Sequence, residues 1–162
     1  PAPGENSSAE EVGRFGYNFC MSALPISFLA AILVQLSCQF FKVFLYSIKE
    51  SRFAIDYFLS AGGFPSSHSA FVTALTTSVA IQSGIGSDVT AVAAVLSIIV
   101  IYDSLRLRGQ VERQAAFLNR IREEHYPHEE KLSERVGHTF PEVAGGMLYG
   151  LLLAFLIAGA LL

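Results

Sequence analysis

His138 and Glu142 are the pair whose residue types and spacing most directly indicate chemistry. They lie four positions apart in GHTFPE, residues 137–142, so on a helix their side chains share one face. A carboxylate in that position can hold an imidazole in one tautomer and raise its basicity. A histidine supported in this way can attack phosphorus as a nucleophile. An ion pair at the start of a helix explains the same spacing equally well.

His68 belongs to a second stretch with the character of an anion site, GGFPSSHS over residues 62–69. The two glycines permit close approach of the backbone, and Pro65 suits the first turn of a helix. The serines that follow leave free N–H groups at the helix N-terminus, where unpaired amides and the helix dipole favour phosphate. His68 in the first turn adds a proton donor beside the anion. The alternative is a capped transmembrane helix with an interfacial histidine.

Lys42 is the last member of a polar stripe on an otherwise apolar stretch, after Gln35 and Gln39. Its ammonium group could clamp a phosphate, or it could extend toward the lipid headgroups. Both interpretations place the amino group near one end of the first helix.

Asp103, Arg106 and Arg108 follow the third apolar stretch. Arginine suits bidentate binding of phosphate, but a basic helix at the membrane surface would carry arginines as well. His125 and His128 are three apart beside a proline that breaks their helical presentation. We therefore predict neither a metal site nor another cofactor.

Four apolar stretches must position these residues, at approximately 24–48, 66–81, 89–102 and 143–162. The chain of 162 residues is 52% hydrophobic and 15% charged, more apolar than an ordinary soluble domain. A spanning helix needs about 20 residues, which the first and fourth stretches provide. We predict an all-α integral membrane bundle of about four transmembrane helices, a single domain over residues 21–162 after a polar tail of residues 1–20. Gly146 and Gly150 would let another helix approach the last one closely.

The polar connectors carry their own signals. Residues 82–88 predict a tight turn, with Ser87 or Asp88 capping the third helix. Residues 105–124 predict an amphipathic helix near the membrane surface, ended by the HYPH of residues 125–128. Its apolar face consists of Leu107, Val111, Ala115, Leu118 and Ile121.

Passing this chain through a bilayer places every candidate site residue at one membrane face and both termini at the other. Of the eleven Lys and Arg residues, only Arg14 falls on the side of the termini. Basic connectors stay on the cytoplasmic side, so we expect the site to face the cytoplasm, or the stroma or matrix of an organelle. Ionisable groups gathered at a bilayer edge tend to mark a functional site.

Composition excludes several classes of function. The net charge of −3 and the absence of a recognisable motif argue against a nucleic-acid partner. Cys20 and Cys38 lack a CxxC spacing, which favours free thiols over a disulfide. The polar N-terminal tail has the pattern of neither a secretory signal nor a transit peptide.

The motifs around these residues resemble the divergent branch of the type-2 phosphatidic acid phosphatase superfamily, the acid phosphatase/vanadium-dependent haloperoxidase-related membrane proteins. The likeness runs from about residue 30 to residue 162. It is carried by QFFK at 39–42, GGFPSSHSA at 62–70, Tyr102-Asp103 followed by Arg108 and Gln114-Ala115, and Gly137-His138 with Glu142-Val143 and Gly146.

The resemblance implies a phosphatase that requires no metal. In the superfamily one histidine attacks phosphorus, a second protonates the leaving group, and basic residues with helix-start amides hold the phosphate oxygens. By this resemblance His138 is the nucleophile, Glu142 its orienting acid and His68 the general acid. The phosphate-binding residues are expected to be Lys42, Ser66, Ser67, Asp103, Arg106 and Arg108.

Two hypotheses follow. The first is a membrane phosphatase that acts on a lipid phosphate or an isoprenoid diphosphate through a phosphohistidine, with membrane lipids and the phosphorylated lipid as its partners. The second is a weakly active or inactive accessory subunit of a larger membrane complex. It is motivated by departures from the superfamily pattern, since Ser67 replaces a glycine and Leu132 replaces an arginine. A transporter is less favoured, because four helices without an inverted repeat give little basis for alternating access.

Overall fold

The computed structural model describes residues 25–59, 62–134 and 136–161, and it contains helices and no strands within those ranges. The helices are α1 (Ile26–Glu50), α2 (Asp56–Leu59), α3 (Ser67–Ser83), α4 (Asp88–Leu105), α5 (Leu107–His125) and α6 (Phe140–Leu161). In the described part of the chain, three helical runs are long and apolar enough to cross a membrane, namely Ile26–Glu50, Asp88–His125 and Phe140–Ala158. The predicted all-α membrane bundle is therefore confirmed. The predicted tail of residues 1–20 lies outside the described residues.

Helix α3 is the centre of the bundle and packs against α1, α4 and α6. With 17 residues it is shorter than the three candidate spans, so the predicted count of four is approximate. The core is built from small side chains, which let the helices approach closely. It consists of Val34, Cys38, Ala70, Ala74 and Ala154. Cys38 is a free buried thiol, as predicted, and Cys20 is outside the described ranges.

Gly146 and Gly150 form the contact surface of α6 toward α3, as their spacing predicts. A Cβ atom added at Gly146 would collide with the carbonyl oxygen of Ser66, and one at Gly150 with that of Ala70. The absence of side chains at these two positions brings the start of α6 against the start of α3.

The first turn of α3 differs from the prediction by one position. Ser66 is the N-cap residue, and its hydroxyl oxygen accepts a hydrogen bond from the backbone N–H of Ser69 at 3.3 Å. Pro65 precedes the cap, so it lies outside the first turn that the sequence predicts for it. The Phe64–Pro65 peptide bond is cis. At the start of α4, Ser87 caps the helix through the backbone N–H of Thr90, as predicted.

Large apolar side chains cover the outer surface of the bundle. Phe44 on α1, Ile98 on α4 and Leu156 on α6 are each at least 60% exposed. A surface of this kind would be unfavourable in water, but it matches the hydrocarbon layer of a membrane.

Helix α5 and the segment after it form a polar layer outside the apolar bundle. Tyr126 ends α5 one residue after His125, where the sequence predicted a stop. The chain then runs back along α5 and is held there by the side chain of Asn119, which bonds the N–H and C=O of Leu132 at 2.9 Å each. Of the predicted apolar face, Ala115 is buried, and Leu107, Val111 and Leu118 remain exposed.

Candidate functional site

His138 is positioned by both the returning segment and the start of α6. Its backbone N–H donates to the carbonyl oxygen of Ser104 at 3.2 Å, which joins it to the end of α4. Its Nδ1 lies 3.0 Å from Oε2 of Glu142. The same carboxylate oxygen accepts a hydrogen bond from the backbone N–H of Thr139 at 3.1 Å. It therefore caps the helix and orients the imidazole ring at the same time. The side chain of His138 is fully buried.

Burial also sets the protonation of His138. It lowers the pKa of the imidazole from 6.5, and Glu142 opposes this shift through its hydrogen bond and its charge. The positive charges of Lys42 and Arg108 lower the same pKa further. The ring is therefore neutral at pH 7, with a proton on Nδ1 toward the carboxylate. Its Nε2 is buried and has no hydrogen-bond partner among the described residues.

His68 faces this ring from the first turn of α3. The centroids of the two imidazoles are 6.3 Å apart, and their planes are inclined by 61°. Nδ1 of His68 is buried without a partner in the described part of the chain, and so is the hydroxyl oxygen of Ser67. Three unsatisfied polar atoms therefore come from adjoining residues at one end of the bundle. Such atoms are uncommon in native proteins, and a bound anion is one partner that would satisfy them.

Ser66 is hydrogen-bonded to residues at the starts of α3 and α6, beside these groups. Its backbone N–H donates to the carbonyl oxygen of Glu142 at 2.9 Å, which links the starts of α3 and α6. The hydroxyl of Ser69 donates to its hydroxyl oxygen at 3.0 Å. The backbone N–H groups of Ser67 and His68 find no acceptor within the described ranges, so two helix-start amides remain for an anion.

Lys42 brings a positive charge into this end of the bundle from α1. The residue is 0% exposed, and its Nζ donates to the carbonyl oxygen of Gly62 at 3.2 Å. A long cationic side chain that is fully withdrawn from the surface is not extending toward headgroups. The structure therefore favours the inward orientation of the two that the sequence left open.

The charged residues at the α4–α5 junction divide into two kinds. Arg108 is half-buried and pairs with Asp103 through Nε and Oδ2 at 3.0 Å. Its positive charge lowers the pKa of the His138 imidazole. Arg106 lies between the two helices with its side chain exposed, and the structure gives it no contact with the site.

A cavity of about 390 Å³ adjoins the His138–Glu142 pair. Tyr46 and Tyr57 line it on one side, with their rings stacked at 3.9 Å between centroids. Glu112 lines it from α5. His138 and Glu142 both line it, whereas His68, Lys42 and Arg108 do not.

Several positioning residues were missed by the sequence reasoning. Asn119 fixes the returning segment, and Glu112 accepts the N–H of Gly137 at 2.9 Å. Gly137 itself approaches the backbone of Gly109 so closely that a Cβ atom would lie 2.9 Å from its Cα. The sequence pattern that could have identified Asn119 is its place one turn after Ala115, on the buried face of α5. Ser104 acts through its backbone carbonyl, which no sequence pattern identifies.

Taken together, the described residues provide a neutral, oriented imidazole, a second imidazole, a buried lysine and free helix-start amides. This set can bind a tetrahedral anion, attack its central atom and transfer a proton to a leaving group. His125 and His128 are exposed near the far end of α5 and take no part in it.

Comparisons with known proteins identify the family of this chain. Residues 25–153 match the Divergent PAP2 family. The chain is 34% identical over 148 residues to YuiD, an uncharacterized membrane protein of Bacillus subtilis (strain 168), across 82% of this chain and 92% of that protein. No solved structure matches the chain. The family match covers most of the chain and both histidine motifs, and the protein belongs to the Divergent PAP2 family of membrane proteins.

Proposed function

We propose that this protein is a membrane phosphatase that hydrolyses a lipid phosphate or an isoprenoid diphosphate through a phosphohistidine at His138. The observation that supports it most is the pair of imidazoles 6.3 Å apart, each with an unpartnered buried nitrogen. Because leaving such atoms unpaired is unfavourable, an anion between the rings would satisfy both of them and the nearby Ser67 hydroxyl.

The reaction follows from the groups on each side. Nε2 of His138 forms a bond to phosphorus while the bond from phosphorus to the lipid oxygen breaks. His68 donates a proton to that oxygen, so a lipid monophosphate releases a neutral alcohol and an isoprenoid diphosphate releases the isoprenoid monophosphate. Lys42, Arg108 and the α3 amides stabilise the negative charge of the phosphoryl oxygens. In the second half His68 accepts a proton from water while the water oxygen bonds to phosphorus. The bond from phosphorus to Nε2 breaks, which releases inorganic phosphate and restores the free imidazole.

We further propose that this face of the bundle lies on the cytoplasmic, stromal or matrix side. The support is the charge distribution, since the connectors at this end carry nearly all of the Lys and Arg residues. Single cysteines at Gly86 and Glu124, in a chain whose native cysteines are replaced by serine, test it. An impermeant thiol reagent added outside should label the first and not the second.

The test of the activity is phosphate release by the detergent-solubilised protein from a panel of lipid phosphates. His138→Ala should abolish release, and it should also abolish an acid-labile phosphoprotein that the wild type forms. His128→Ala is the matched control, because that histidine is exposed and distant from the site. Unchanged turnover in His138→Ala would dispose of the mechanism. Inactivity of the wild type on every lipid, with co-purification at fixed stoichiometry, would favour the accessory-subunit hypothesis.

A further inference from the structure

Two glutamines on α1 continue the candidate site away from its charged end. Gln35, Gln39 and Lys42 follow one another at spacings of four and three residues, so they form one row along the helix. Oε1 of Gln35 and Oε1 of Gln39 are both buried and both lack a hydrogen-bond partner in the described residues. The row therefore contains two unsatisfied amide oxygens beside Lys42, which the proposed function assigns to the phosphate site.

The depth of these amides in the membrane limits which groups could hydrogen-bond them. At a rise of about 1.5 Å per residue, Gln39 lies about 4.5 Å and Gln35 about 10.5 Å deeper along α1 than Lys42. That direction leads into the apolar layer, where water is absent and an unpaired amide stays unpaired. A bound molecule that satisfies them would have to carry hydrogen-bonding groups of its own to this depth.

The glutamines also lie where a lipid can reach them. Around α1, Val34 and Cys38 are 0% exposed and point into the core, whereas Leu36 and Phe40 are 43% and 64% exposed. Gln35 and Gln39 are half-buried. They occupy the border between the core and the lipid-facing surface, so a molecule whose tail stays in the bilayer can contact the exposed part of each side chain. Because Oε1 is buried in both, bonding it requires the amide group to turn toward that molecule.

We propose that Gln35 and Gln39 form a subsite for the backbone of the lipid substrate. Their side-chain amides would hydrogen-bond hydroxyl or amide groups of the lipid next to its phosphate. The inference rests on the proposed function and narrows its substrate class. An amide side chain offers both a donor and an acceptor, whichever way it is turned, and so suits these groups. Lipids with a glycerol-like or sphingoid-like backbone carry them within a few bonds of the phosphate. Isoprenoid phosphates have no such group there.

The experiment compares two substrates of equal charge and tail length, an alkyl glycerol phosphate and an alkyl phosphate. One good hydrogen bond predicts that the wild type favours the hydroxylated lipid by about tenfold in kcat/KM. Gln39→Leu should reduce this ratio to about one. Gln35→Leu should reduce it less, because Gln35 is farther from the phosphate. Gln114→Leu, an exposed glutamine on α5, is the matched control and should keep the wild-type ratio.

A binding measurement separates failure of the inference from failure of the proposed function. In a His138→Ala background, the shift of the unfolding midpoint on adding each lipid reports affinity without turnover. Loss of the preference on adding Gln39→Leu supports the subsite even if the wild type hydrolyses nothing. A ratio that survives both glutamine substitutions, or equal shifts by the two lipids before substitution, overturns it. Gln39→Met serves as a second variant should Gln39→Leu fail to fold.

Discussion

His138 and His68 both lie at the start of a long helix, but the protein holds their rings in different ways. His138 is bonded through its backbone to Ser104 and through Nδ1 to Glu142, and its side chain is fully buried. His68 lies in the first turn of α3, is partly exposed, and has no hydrogen-bond partner for its Nδ1 among the described residues. Glu142 fixes the tautomer of the His138 ring, and no group in the described part of the chain does so for His68 through Nδ1.

This difference matches two different tasks at one phosphoryl group. A nucleophile must present the same lone pair in every turnover, which a carboxylate on the opposite nitrogen enforces. A general acid must give up a proton and recover it, and a permanent carboxylate partner would hold that proton in place. The geometry is therefore consistent with the proposed roles, in which His138 attacks phosphorus and His68 transfers the proton.

The largest expected effect that tests this assignment comes from His68→Ala. We expect turnover of a lipid phosphate to fall about a thousandfold, because the alcohol would leave without a proton. With p-nitrophenyl phosphate, whose leaving group needs no proton, the loss should be much smaller. The measurement is kcat/KM for both substrates, with His128→Ala as control. Equal losses on the two substrates would contradict a role in proton transfer.

Glu142→Gln should give the next largest effect, through charge and pH. Removing a charge-assisted hydrogen bond should lower kcat/KM about a hundredfold. Burial already holds the pKa of His138 below 6.5, and Glu142 is the group that raises it. Without the carboxylate the pKa falls further. The attacking imidazole must be neutral, so activity is lost as the pH drops through this pKa.

The acid limb of the pH–rate profile should therefore move to lower pH in Glu142→Gln even as the maximal rate falls. A merely structural role for Glu142 would reduce the rate without this displacement. A limb that stays in place or moves upward would show that the carboxylate does not act on His138.

Gly146→Ala tests the packing that brings the two rings together, and we expect a moderate effect. The added methyl group would meet the carbonyl of Ser66, so the start of α3 must move away from α6. Overpacking of this kind costs about 1–3 kcal/mol, and a small displacement of His68 should lower activity about tenfold. Gly86→Ala is the control, since a Cβ at that position meets nothing within 4 Å. Equal unfolding midpoints and activities for the two variants would refute the contact.

Much of this bundle is predictable because the bilayer imposes simple rules. Apolar runs gave α1 and α6 to within three residues at each end, and the serine cap of α4 follows from side-chain chemistry. The two histidine motifs converge because helices that cross a membrane must alternate direction. Local patterns and one topological rule were sufficient for these features.

The rest depends on contacts between distant segments, which no local pattern records. The described residues between α5 and α6 have no regular structure, and contacts such as those with Asn119 and Glu112 show that they run back along the helix. Lys42 could extend outward or inward by sequence, and its contact with Gly62 selects the inward orientation. The pairing of Arg108 with Asp103 likewise requires coordinates.

Asn119→Ala addresses that returning segment and should have the smallest effect on catalysis. It removes the hydrogen bonds to Leu132 and to the carboxylate of Glu134, so the segment that carries His138 becomes less constrained. We expect kcat/KM to fall about threefold. The effect is small because the loss of one or two net hydrogen bonds is spread over the whole segment and reaches His138 only in part. Gln110→Ala, an exposed position on the same helix, should leave the rate unchanged.

The direct readout of this variant is the carboxyl group of Glu134. The hydrogen bond from Asn119 lowers the pKa of Glu134 from 4.5, so its removal should raise that pKa toward the ordinary value. Nuclear magnetic resonance titration of labelled glutamate measures it independently of turnover. An unchanged titration would mean that the segment does not lie along α5, and His138 would then lack the support that distinguishes it from His68.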